Sequence, residues 1–141
     1  MLLISAGHMK HLTDAAEAAY PHEACGLLVG RTGVGAQRVV ERIEISGNVA
    51  ADTLTRFEVD PGLRIGIERE LRGGPKCVLG VWHSHPDHPA APSETDLAMA
   101  YEPDLVWLIT AVYAGQAVQT AAFMVRDGGG GFRSFAMLMH A

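Results

Sequence analysis

The chain has 141 residues, of which 48% are hydrophobic, and a formal net charge of −5. This length and composition favour one domain, residues 1–141, with an ordinary hydrophobic core. The acidic balance and the lack of a basic stripe argue against nucleic-acid binding. No apolar segment approaches the roughly 20 residues of a membrane-spanning helix, and the N-terminus lacks the basic start and long apolar stretch of an export signal. We therefore expect a cytoplasmic protein that associates with neither nucleic acid nor membrane.

Strand-like and helix-like segments alternate along the first half of the chain. We predict strands at 2–5, 24–30, 37–45 and 56–60, and helices at 8–20 and 61–72. Helix 8–20 has Met9, Leu12, Ala16 and Ala19 on one face and ends before Pro21.

The second half is dominated by strands. We predict a strand at 77–85, a helix at 93–102, and strands at 104–113, 117–125 and 132–138. Together with the first half, this order predicts an α/β fold in which helices flank a mixed β-sheet.

Two cysteines and two tryptophans lie inside apolar segments. Cys25 and Cys77 are predicted to be reduced, buried small side chains, with a disulfide or a second metal site as the alternatives. Trp82 and Trp107 are predicted to belong to the core.

The polar string "HSHPDHPAAPSETD", residues 83–96, directly follows the predicted strand core. His83 and His85 lie two positions apart on a strand, so their side chains point to the same face. Three prolines stiffen the loop that follows, and Ser93 is placed to cap a helix with Asp96 in its first turn. Two imidazoles and one carboxylate leave a tetrahedral zinc ion one open position, as in catalytic sites. The alternative is a solvated strand end.

Other polar side chains near this string have simpler interpretations. His88 and His22 are predicted to be solvated, and Glu94 to favour the start of the helix. The chain has neither an H-E-x-x-H motif nor the cysteine pair of a zinc deaminase. If the string is a catalytic zinc site, the residues alone leave several carboxylates as its general base: Glu23, Asp87, Glu94 and Glu102.

The segment "HSHP", followed after six residues by "SETD", resembles the signature of the JAMM (MPN+) metalloproteases. Upstream, "PHEACGLLVG" resembles the segment in which that family carries its catalytic glutamate, and "NVAADTLTRFEVDP" resembles the intervening region. The resemblance spans most of residues 8–126 and is to the single-domain prokaryotic type. It implies the MPN fold, a sandwich of the cytidine-deaminase kind.

The resemblance also implies a role for each residue of the site. His83, His85 and Asp96 are expected to bind Zn²⁺, Glu23 to act as general acid/base, and Ser93 to stabilise the oxyanion. The implied substrate is the C-terminal tail of a ubiquitin-like or sulfur-carrier protein, cleaved at a peptide, isopeptide or cysteine-adduct bond. A non-catalytic MPN scaffold is the alternative. The substrate protein and the oligomeric state stay open.

Overall fold

The computed structural model describes residues 1–141 as an eight-stranded mixed sheet with helices packed against it. This architecture confirms the predicted α/β class. In chain order the elements are β1 (Leu2–Ser5), α1 (Ala6–Ala19), β2 (Cys25–Thr32), β3 (Arg38–Ser46), α2 (Pro61–Leu71), β4 (Cys77–Pro86), α3 (Glu94–Met99), β5 (Val106–Tyr113), β6 (Gln116–Val125), β7 (Phe132–Phe135) and β8 (Met137–His140). The longest helix, α1, has 14 residues. None of the helices has the length and hydropathy needed to cross a membrane.

The strand order is β7-β6-β5-β4-β2-β3-β1-β8, so β7 and β8 form the two edges of the sheet. The pairs β1–β3, β1–β8 and β4–β5 are parallel, and the other neighbours are antiparallel. Only Ala136 separates β7 from β8 along the chain. Because one residue connects strands at opposite edges, the sheet must curl until these edges meet.

Two hydrophobic clusters cover the faces of the sheet. The larger has 16 buried residues, includes Trp82, and packs against α1 through Leu12. The smaller has six buried residues and includes Val81 and Trp107. Val81 and Trp82 are consecutive on β4, so the two clusters lie on opposite faces. The burial of both tryptophans confirms their predicted place in the core.

Close approach of neighbouring strands explains two glycines in the core strands. A Cβ atom on Gly30 would collide with the carbonyl oxygen of Val39, and one on Gly80 would collide with that of Val106. At each of these glycines, the backbone of the neighbouring strand occupies the space that a side chain would need.

Two predicted strands are wrong. Residues 132–138 form two strands rather than one, because β7 pairs with β6 and β8 pairs with β1. Residues 56–60 form a loop whose ladder-like pairing is limited to an isolated bridge between Val59 and Asn48. The loop replaces a strand because the N–H of Glu58 donates to the side chain of Asn48 instead of to a neighbouring strand.

The cysteine prediction is half right. Cys25 is buried, and burial raises the pKa of its thiol to about 12. Cys77 is exposed at the first residue of β4, three residues before the pairing with β5 begins at Gly80. Cys25 pairs with His83, whereas Cys77 pairs at the other end of the same two strands, too far away for a disulfide between them.

Candidate metal centre and active site

His83 and His85 lie on a central strand that is paired on both sides. β4 runs between β2 and β5, and the ladder with β5 continues to Pro86. Both side chains are on the Val81 face, with exposed fractions of 0% and 7%. Their Nε2 atoms are 2.9 Å apart. The ladder with β2 ends at His83 and the ladder with β5 continues through His85, so regular strand geometry fixes the spacing of the two imidazoles.

Each imidazole is oriented by a further contact. His85 Nδ1 is 2.9 Å from the carbonyl oxygen of Pro89, which can only accept, so Nδ1 carries a hydrogen. In the neutral ring Nε2 is then unprotonated and available as a ligand. The ring of His83 stacks on Phe57 with a centroid distance of 4.2 Å and meets Trp107 edge-on. His83 Nδ1 is buried without a hydrogen-bond partner.

Asp96 enters the site from the first turn of α3. The N–H of Asp96 donates to Ser93 Oγ at 3.0 Å, and the N–H of Ser93 donates to Asp96 Oδ2 at 2.9 Å. This capping box confirms that Ser93 is the N-cap. Asp96 Oδ2 is also 3.1 Å from His85 Nε2 and 3.3 Å from His83 Nε2. The first turn of α3 thus places one carboxylate oxygen in contact with both imidazoles.

The three atoms lie close to the spacing of ligands around a tetrahedral metal ion. His83 Nε2, His85 Nε2 and Asp96 Oδ2 are separated by 2.9 to 3.3 Å. Ligands bound at 2.0–2.1 Å in a tetrahedral site are about 3.3–3.4 Å apart. Two nitrogens and one carboxylate oxygen at this spacing fit a divalent cation with one position left open.

Glu23 completes the cluster from the segment between α1 and β2. Its carboxylate lies within 4.8 Å of the ring nitrogens of His83 and His85, and its exposed fraction is 6%. Its N–H donates to the carbonyl of Thr53 at 2.7 Å, and its carbonyl accepts from Asn48 Nδ2 at 2.9 Å. Glu23, His83 and His85 form a group that could hold a metal ion.

The environment moves the pKa values of the four groups in different directions. Burial raises the pKa of Glu23 to about 7, and the nearby charge of Asp96 adds to that rise. Burial alone would raise the pKa of Asp96, but its contacts with both imidazoles hold that pKa well below the usual range. Burial lowers the pKa of His83. Burial also acts downward on His85, but hydrogen bonds to Asp96 and to the carbonyl of Pro89 raise its pKa.

Three adjoining pockets form a groove beside α3. The first, of about 340 Å³, is lined mainly by polar residues that include Glu23, His85, Ser93 and Thr95. The second has a similar volume and includes Thr95, Asp96, Phe57 and Met99. The third, of about 160 Å³, is mostly apolar and includes Phe57, Met99, Tyr101 and Trp107. Because neighbouring pockets share residues, the groove runs from Glu23 past Asp96 to an apolar end.

The structure brings all five predicted site residues to one place. Glu23, His83, His85 and Asp96 converge, and Ser93 lines the same pocket as Glu23 and His85. Their individual roles stay predictions. Among the other histidines, His22 is exposed and contacts Thr53 through Nδ1, and His88 is exposed at the pocket rim.

The sequence interpretation missed Phe57 and Asn48. The sequence predicts a strand around Phe57 and gives no sign that its ring stacks on His83. Asn48 follows the end of β3, and an asparagine there is a recognised signal for side-chain bonding to the backbone of a turn.

Comparisons with known proteins agree with the geometry. The family described as "Prokaryotic homologs of the JAB domain" matches residues 5–126. The desampylase of Haloferax volcanii is 32% identical over 101 residues, which cover 72% of this chain and 70% of that protein. The CysO-cysteine peptidase of Mycobacterium tuberculosis is 26% identical over 128 residues, which cover 91% and 85% of the two chains.

Solved structures give the same result. A protein from Desulfitobacterium hafniense superposes with a TM-score of 0.84 at 30% identity, covering 99% of this chain and 92% of that one. A JAB1/MPN domain protein from Archaeoglobus fulgidus has the same fold, with a TM-score of 0.65 at 20% identity and full coverage of both chains. These matches confirm the resemblance inferred from the motifs. The chain belongs to the family of prokaryotic homologs of the JAB domain.

Proposed function

We propose that this chain is a zinc metallopeptidase that hydrolyses the amide bond after the C-terminal tail of a ubiquitin-like or sulfur-carrier protein. One observation carries the proposal: His83 Nε2, His85 Nε2 and Asp96 Oδ2 converge at 2.9 to 3.3 Å, with the carboxylate of Glu23 within 4.8 Å of both imidazoles. A buried group of this kind at the edge of a groove is the arrangement of a catalytic metal site with its own base.

His83, His85 and Asp96 would hold the ion. The donor set of two imidazoles and one carboxylate suits zinc and leaves one position for water or substrate. When bound there, zinc would supply Lewis acidity, which lowers the pKa of water from 15.7 to about 7 and polarises a carbonyl oxygen. The carbonyl of Pro89 and the N–H of Ser93 orient the ligands His85 and Asp96 from outside the cluster.

Glu23 would move the proton. Its carboxylate lies beside the ligands, and its backbone is held by hydrogen bonds to Thr53 and Asn48. From this position the carboxylate can take a proton from water and return it to the leaving amine. The Oγ of Ser93 accepts the N–H of Asp96 and keeps its own hydrogen for donation. That hydrogen would stabilise the negative charge that develops on the carbonyl oxygen of the substrate.

The groove supports an extended tail as the substrate. It passes Glu23 and Asp96 and ends among Phe57, Met99 and Tyr101, so an unfolded segment could place a carbonyl at the site and an apolar side chain beyond it. The names of two relatives, desampylase and CysO-cysteine peptidase, support removal of an adduct from a small carrier protein.

A cleavage panel tests the proposal. The zinc-loaded protein is incubated with ubiquitin-like and sulfur-carrier proteins that bear a short C-terminal extension, an isopeptide-linked lysine or a terminal cysteine, and the products are read by intact mass. We expect cleavage at the native carrier terminus, its loss with a chelator and its return with zinc. If the protein cuts no substrate but binds a carrier stoichiometrically, the scaffold interpretation replaces this one.

A further inference from the structure

Residues 48–58, which we call the 48–58 loop, connect the two sides of the site. Near its middle, the carbonyl of Thr53 accepts the N–H of Glu23. Near its end, Phe57 stacks on His83 at 4.2 Å. The conformation of this loop therefore affects the position of Glu23 and of one imidazole together.

The side chain of Asn48 holds the loop in this conformation. Its Nδ2 donates to the carbonyls of Glu23 and Arg56, both at 2.9 Å. Its Oδ1 accepts from the N–H groups of Ala50 at 3.1 Å and Glu58 at 3.0 Å. A primary amide offers two donors and two acceptor sites, so every hydrogen-bonding position of Asn48 is used. Two of these bonds go to the residues on either side of Phe57.

The peptide group between Glu23 and Ala24 is held by side chains at both polar atoms. Its carbonyl accepts from Asn48 Nδ2, and its N–H donates to Ser84 Oγ at 2.8 Å. β2 begins only at Cys25, so Glu23 precedes the regular strand. The side chains of Asn48 and Ser84, together with the backbone bond to Thr53, thus hold the backbone that carries the carboxylate of Glu23.

We propose that Asn48 is a positioning residue that acts on catalysis through Glu23. This inference rests on the proposed function, in which Glu23 moves the proton. Asn48 does not contact the candidate ligands, and it fixes the backbone that carries Glu23. Its other three hydrogen bonds go to Ala50, Arg56 and Glu58, which line the groove. Small displacements of a catalytic group reduce turnover steeply, so a shift of the Glu23 backbone should act mainly on kcat.

The first test compares Asn48→Asp with Thr53→Val. Asn48→Asp keeps the acceptor for Ala50 and Glu58 but places an oxygen against two carbonyls. We expect kcat to fall by about 10- to 100-fold, with metal content unchanged. Thr53→Val removes the side-chain contact with His22 but keeps the carbonyl that accepts from Glu23, so its kcat should stay near wild type. Equal losses in the two variants would overturn the inference.

A double variant tests whether Asn48 acts through Glu23. In the Glu23→Gln background, Asn48→Asp should cause no further loss of the residual rate, because the group that it positions no longer moves a proton. If Asn48→Asp slows the residual reaction by the same factor as in wild type, Asn48 acts independently of Glu23 and the inference is wrong.

Amide hydrogen exchange provides a readout that does not depend on activity. In this 15.0 kDa chain, the exchange rates of the Glu23 and Ala24 amides can be followed by NMR. We expect them to rise in Asn48→Asp and to stay unchanged in Thr53→Val. Should Asn48→Asp fail to fold, Asn48→Ser retains one donor and one acceptor and replaces it. Unchanged exchange refutes the positioning role even if cleavage is lost, whereas raised exchange in a protein that cuts no carrier rejects only the proposed function.

Discussion

Replacing Ser93 separates its structural contact from its proposed contact with substrate. Ser93→Ala removes the Oγ that accepts the N–H of Asp96 at 3.0 Å. Loss of an N-cap costs about 0.5–2 kcal/mol, with about 1 kcal/mol typical. In a chain of this size, 1 kcal/mol corresponds to a decrease in Tm of about 3–5 °C. Ser93→Asn keeps a good cap acceptor, so its Tm should stay close to that of wild type.

Stability should distinguish the two variants, whereas activity should fall in both. If the Ser93 hydroxyl donates to the developing oxyanion, both Ser93→Ala and Ser93→Asn should lose about 10²- to 10³-fold in kcat. The assay is kcat at saturating substrate, with Tm and metal content measured on the same preparations. Equal metal content excludes displacement of Asp96 as the cause. A stable and fully active Ser93→Asn variant would reduce Ser93 to a helix cap.

Three further predictions concern the ligands, the base and an ion pair. Elemental analysis should find about one zinc per chain, mostly lost in His85→Ala and kept in His88→Ala; retention by the first variant contradicts the ligand assignment. Glu23→Gln should keep zinc while the cleavage rate falls by about 10²- to 10⁴-fold, and unchanged turnover would give its role to another carboxylate. Both Nη atoms of Arg64 donate to Glu102, and this contact lowers the pKa of Glu102. The stabilisation of the fold by this ion pair is present above about pH 4.3 and is lost as the pH falls through the lowered pKa of Glu102. Glu102→Gln should therefore have a lower Tm than wild type at pH 7 but the same Tm at low pH. A difference in Tm that does not change with pH would contradict this expectation.

The elements that the sequence predicted well are those with a local cause. Residues 77–82 of β4 and nearly all of β5 are apolar because both faces of a central strand are covered. The capping box at Ser93 follows from two residues three positions apart. In these cases the physical requirement lies within a few residues, so a pattern can reveal it.

The errors arise where distant pairing decides the structure. Residues 132–138 have one uniform strand-like composition, and nothing within them shows that β7 and β8 pair with different partners. The segment around Phe57 also has strand-like residues, but Asn48 takes the backbone bond that a strand would use. Cys77 lies in an apolar segment whose first residue extends beyond its neighbour β5. Strand partners and strand ends are set by the whole sheet.

The candidate site itself combines both kinds of cause. The contacts that orient His85 and Asp96 come from Pro89 and Ser93, so that half of the centre is organised within residues 83–96 and is visible in the sequence. Glu23 lies 60 residues before His83 and reaches the cluster only because β2 pairs with β4, which places Cys25 opposite His83. No spacing rule within the chain selects Glu23 over another carboxylate. The register of β2 against β4 selects Glu23, because it places this residue near His83. The hydrogen bond from Asn48 then fixes the carbonyl of Glu23, two residues before β2 begins.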